Sequence, residues 1–112
     1  MKILKLLDEL EIIQNYNVLD YKSFGDGFYY KIEVIFNNQN ILHIKEYIDE
    51  EERNYSYHFQ DKNSNLITRW NNAPHHQNII TYPHHRHIDN KIIKSFETTI
   101  DEILELIKKE YY

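Results

Sequence analysis

Residues 28–48, FYYKIEVIFNNQNILHIKEYI, decide the fold. In the first nine of them Phe28, Tyr30, Ile32, Val34 and Phe36 fall on one side of an extended chain, with Lys31 and Glu33 on the other. That period of two is the signature of a half-buried strand. The polar NNQN turns the chain, and ILHIKEYI brings it back as a second strand. A tight turn centred on Asn38 and Gln39 sets Ile41 opposite Phe36 and Glu46 opposite Lys31.

A second hairpin follows, NYSYHFQD and NLITRWNN joined around KNSN, whose Asn and Ser residues tolerate turn geometry. With a two-residue turn at Asn63 and Ser64, Tyr57 lies opposite Trp70 and His58 opposite Arg69. The first pair is packing and the second chemistry, because alternate faces of a strand separate them.

The flanks are helical. Ile3, Leu6, Leu7, Leu10 and Ile13 recur at the spacing of one buried stripe, and residues 15–27 then read as a polar stretch ending in a turn, FGDGF. At the other end Ile100, Ile103, Leu104 and Ile107 form a stripe, Thr99 and Glu102 have the spacing of a capping box, and Lys108 and Lys109 suit the helix C-terminus. The predicted architecture is a single α+β domain over residues 1–112. A four-stranded antiparallel sheet carries the N-terminal and C-terminal helices on one face.

Composition narrows the chemistry. With no cysteine there is neither a disulfide framework nor a thiolate metal site. Asp8, Glu9 and Glu11 interrupt the apolar N-terminus before a signal peptide or membrane span is complete, so the expectation is a soluble, cytoplasmic chain with no membrane partner. A formal charge of −5 argues against a broad phosphate-binding surface, but the charge is uneven. EYIDEEE at 46–52 holds five acids, and residues 69–91 hold Arg69, Arg86 and Lys91 against Asp89 alone. Most acids of the first run belong to a solvated hairpin tip, and Glu46 stands apart as a candidate base or ligand.

Five of the seven histidines lie between His75 and His87, in PHHQNIITYPHHRH. Imidazole titrates near neutrality and also ligates metals, which gives the cluster two chemical readings. In the first, RNA is cleaved at its own 2′-hydroxyl without a metal. His75 or His76 and His85 or His87 supply acid and base, His84 is grouped with them, and Arg69 and Arg86 bind the phosphate. Tyr57, His58 and Asn72 join Arg86 as candidate substrate contacts. In the second, His85 and His87 point to the same side of an extended segment and chelate an ion such as zinc, in a structural site or a metal-dependent hydrolase. One of the preceding pair, His75, completes the set, with water or Glu46 as a further ligand. A non-catalytic binding domain and plain packing of the aromatic residues stay open beside both.

YSYHFQDKNSNLITRWNNAPHH followed by YPHHRH resembles the central signature of the TumE-type family, toxin components of prokaryotic type II toxin–antitoxin modules. The resemblance implies a cognate antitoxin as partner and growth arrest by the free toxin, and it leaves self-association into a homo-oligomer open. It picks out Glu46, Tyr55, Tyr57, His58, Arg69, Trp70, Asn72, Ala73, Pro74, His75, His76, Pro83, His84, His85 and His87. It departs at Asn71, where the family commonly has an aspartate, so a carboxylate ligand is missing there.

Overall fold

In the computed structural model, which describes residues 2–112, the chain runs as a helix, a seven-stranded antiparallel meander and a second helix. Helix α1 is Lys2–Glu9, and strands β1 to β7 are Ile13–Phe24, Gly27–Phe36, Ile41–Ile48, Arg53–Gln60, Leu66–Asn71, His85–Ile88 and Lys91–Lys94. Helix α2 is Ile100–Tyr111. The strands lie side by side in chain order.

The expected α+β class and terminal helices hold, but the sheet has seven strands rather than four. The expected first helix ends at Glu9, and Ile13 opens a strand instead of a further helical turn. Strand β1 escapes sequence reading because it is an edge strand, mostly exposed, with register irregularities at Ile13/Asn15 and Val18/Asp20. Backbone pairing with β2 holds it there, and that leaves no alternating apolar pattern. Strands β6 and β7 are short and rich in His and Lys. The turn joining them places Asp89 and Asn90 at φ 52° and 60°, the left-handed pair that a two-residue hairpin requires.

The β2–β3 turn corrects a register. Asn37, Asn38 and Gln39 form a three-residue loop closed by the Phe36 N–H on the Asn40 carbonyl, 2.9 Å, with Gln39 at φ 71°. Ile41 therefore pairs with Ile35 rather than Phe36, and Glu46 pairs with Tyr30 rather than Lys31. One residue of slip turns Glu46 toward the core. In the β4–β5 hairpin the expected pairs are present, Tyr57 with Trp70 and His58 with Arg69. The route differs, however. The loop closes between Asp61 and Asn65, and an irregularity between Phe59 and Gln60 restores the register.

One face of the sheet is the core. Ile32, Val34, Phe36, Leu42, Ile44, Tyr57, Phe59 and Trp70 are buried against Ile3 and Leu7 of α1 and Ile100, Ile103, Leu104 and Ile107 of α2. Thr99 is the N-cap of α2 but makes no side-chain cap bond. Its hydroxyl and that of Thr98 donate instead to the Glu102 carboxylate, 3.3 Å each.

Candidate functional site

Strand register brings distant residues into rows across the sheet. One row holds Glu33, His43, His58, Arg69 and His87, and the next holds Lys31, Lys45, Ser56, Asn71, His85 and Lys94. Each alternates along its strand with core residues, so both rows occupy the face turned away from the helices. Lys31, Lys45, Arg69 and Lys94 outnumber the acids of these rows, Glu33 and, beside Lys31 on β1, Asp20, which makes this face locally positive on a chain of net charge −5.

His85 and His87 project to this face as expected, and the loop after β5 brings His76 over them. One nitrogen from each of His76, His85 and His87 lies within 4.8 Å of the other two. The rings meet edge to face, with centroids 4.8 Å apart for His76–His85, 4.9 Å for His85–His87 and 5.7 Å for His76–His87. His85 is nearly fully buried, and its Nδ1 lies 3.0 Å from the Pro83 carbonyl oxygen. A carbonyl only accepts, so Nδ1 carries the proton and Nε2 keeps its lone pair.

The loop is anchored locally. The Asn71 side-chain oxygen accepts the Ala73 N–H at 3.0 Å. Asn72 accepts from Tyr55 N–H at 2.9 Å and donates to the Arg53 carbonyl at 2.6 Å. Thr81 donates to the His84 carbonyl and accepts from the Ser95 N–H, 2.6 and 3.0 Å.

Arg69 links this trio to a cavity. It pairs across the strands with His58 on one side and His87 on the other. Its Nε is buried and is the one side-chain polar atom in that condition, among the described residues, without a protein partner. It also lines a pocket of about 270 Å³ with Lys45, Tyr47, Ser56, Asn71 and Pro74.

Burial holds the His85 and His87 imidazoles below their ordinary value, reinforced by neighbouring imidazoles and Arg69 and opposed at His85 by the Pro83 carbonyl. His58 is likewise lowered, by burial first and then by Arg69 and His43. Imidazoles of this kind are neutral at pH 7.

The remaining expected residues lie elsewhere. His75 is exposed, outside the trio, and His76 takes the place expected for it. His84 stacks on Tyr55 with its Nδ1 2.9 Å from the phenol oxygen. Arg86 sits on the helix face over the Trp70 ring, 4.6 Å away, donates to Thr68 Oγ1 at 2.9 Å and pairs with Glu110 at 3.2 Å. Tyr57 is fully buried. Glu46 is also on the helix face, where it accepts from Tyr30, Tyr57 and Arg53. Sequence reading passed over His43, Lys45 and Tyr47, although the alternation of ILHIKEYI already puts all three on one side.

Lowered imidazoles give acid sensitivity. Below about pH 6.5 the unfolded chain protonates His58 more readily than the folded chain does. Unfolding then takes up protons, so stability falls with falling pH until the folded value is passed. Thermal melts from about pH 8 to 5 should fall on the acid side, less steeply in His58→Gln. Equal slopes in the two proteins would remove His58 from this account.

The model of a family described as Toxin TumE matches residues 3–111. No curated protein and no solved structure matches the chain. Among the described residues no helix is long and apolar enough to cross a membrane.

Proposed function

The chain belongs to the Toxin TumE family and is thus a toxin component; from that premise we propose that it arrests growth by cutting RNA on the open face of its sheet, and that a cognate antitoxin restrains it. The observation that carries this reading is Arg69, a guanidinium with a buried, unpartnered Nε between two sets of imidazoles on a positive surface. Such a group suits the phosphate of a phosphodiester, which accepts hydrogen bonds and carries the complementary charge.

The three imidazoles of the trio converge on one point, so they do not flank a phosphate as an acid and base pair. His58 and the trio do. His58 on β4 and His87 on β6 are separated by two strand spacings, about 10 Å, with Arg69 on β5 between them. With the scissile phosphate on Arg69, neutral His58 takes the proton of the 2′-hydroxyl. The 2′-oxygen forms its bond to phosphorus as the bond to the 5′-oxygen breaks, and that oxygen receives a proton from a water held on the trio side. Lys45 and Tyr47 beside the pocket offer a charge and a ring to the neighbouring nucleotides.

The test uses tag-free protein and single-stranded RNA. The expected products end in a 2′,3′-cyclic phosphate, and a 2′-deoxy residue at the cleaved position blocks the cut. His58→Ala retains the fold and loses most of the activity. Intact RNA after incubation with folded wild-type protein would overturn the reading, as would equal cleavage of the 2′-deoxy substrate.

A further inference from the structure

We infer that His76, His85 and His87 form a binding site for one divalent transition-metal ion. The inference goes beyond the reading above, because it stands whether or not RNA is the substrate.

Three observations carry it. The first is convergence, with one nitrogen from each residue within 4.8 Å of the others, around a common point. Imidazole nitrogens about 2.0–2.1 Å from a tetrahedral zinc ion lie about 3.4 Å apart, so side-chain rotation of His76 and His87, both only partly buried, closes the set. The second is the fixed tautomer of His85. Its Nδ1–H is committed to the Pro83 carbonyl, the outer hydrogen bond that orients metal-bound imidazoles and leaves Nε2 as the donor atom. The third is the absence of a competing role. Among the hydrogen bonds of the described residues, none engages the imidazole of His76 or His87, which bond only through their backbone, whereas the His84 ring is engaged by Tyr55.

The chemistry of the set selects the ion. Three neutral imidazoles with no thiolate and no carboxylate suit zinc, cobalt, nickel or copper, whereas magnesium and calcium require oxygen ligands. Three protein ligands leave a coordination position open, as in catalytic zinc sites. Arg69 is the cross-strand partner of His87, and an anionic ligand bound by both the ion and the guanidinium would offset the repulsion of two positive charges. A water on such an ion has its pKa brought toward neutrality, which matches the proton-donating side assigned to the trio.

The experiment titrates cobalt(II) into tag-free, EDTA-stripped full-length protein and follows the visible absorption of the bound ion, with zinc as competitor and magnesium as control. One equivalent of cobalt is expected to bind, zinc to displace it and magnesium to leave the spectrum unchanged. His76→Ala and His85→Ala should each weaken binding by at least about 100-fold, beyond what loss of a supporting hydrogen bond produces. His75→Ala and His84→Ala should bind as wild type.

His85 is buried, so its variant is checked by thermal melting. His76→Ala, in the partly exposed loop, keeps the test decisive if His85→Ala fails to fold. No cobalt spectrum with wild type, or unchanged binding in His76→Ala, overturns the site. RNA cleavage that persists in such a metal-free protein leaves the proposed function standing, with a water hydrogen-bonded by the imidazoles donating the proton.

Discussion

Replacing Arg69 with alanine should lower RNA cleavage about 100- to 1,000-fold, the range seen when one preorganised donor to a developing oxyanion is removed. The thermal midpoint should move little. Among the described residues Arg69 makes no salt bridge and its buried Nε has no protein partner, so the substitution leaves no acceptor orphaned there. Arg69→Lys should recover part of the loss, since it keeps the charge without the forked donor geometry. Arg86→Ala gives the opposite pattern. That side chain is spent on Trp70, Thr68 and Glu110, so stability falls and cleavage per folded molecule persists. Full cleavage by a folded Arg69→Ala protein would sink the assignment.

Glu46→Ala should cost about 3–5 kcal/mol of stability, the range for removing one partner of a buried ion pair. One carboxylate oxygen accepts from Tyr30 at 2.8 Å and Tyr57 at 3.1 Å, and the other accepts from Arg53 Nε at 3.0 Å. Burial first, then the nearby carboxylate, pushes both phenols far above the ordinary tyrosine value, so they stay protonated donors that need this acceptor. Without it Arg53 keeps its bonds to the Tyr57 hydroxyl and the Thr98 carbonyl but loses its buried counter-charge. For a domain of about this size such a loss lowers the midpoint by roughly 15–30 °C. Urea and thermal unfolding measure it. A midpoint within a few degrees of wild type would show that the network contributes little.

The residues explain which parts of this architecture were legible. Phe28 to Phe36 and the stripe from Ile100 to Ile107 are half-buried elements whose burial is written as period, two for the strand and three or four for the helix. Strand β1 has one bonded edge and little burial, and β6 and β7 are four residues each, so backbone pairing alone defines them. The family resemblance read from the RWNNAPHH and YPHHRH segments agrees with the match to residues 3–111.

The site was half legible. His85 and His87 share a side by simple alternation, and His58 faces Arg69 as expected. The choice of His76 over His75 depends on the path of an irregular loop. Glu46 was misplaced because a three-residue turn and a two-residue turn differ by one step in pairing, and no local residue type separates NNQN in one from NNQN in the other.

The β4–β5 hairpin shows how such steps cancel. Strand faces behave as a parity: each odd change in residue count between turn and site exchanges inside for outside. The Asp61–Asn65 loop introduces one odd step and the irregularity at Phe59/Gln60 a second, so Arg69 still faces outward and Trp70 inward. Gene-level insertions at this tip therefore divide into two kinds. Those of two residues preserve the parity, and those of one residue demand a compensating change in the strand, or they deliver tryptophan to the solvent and arginine to the core.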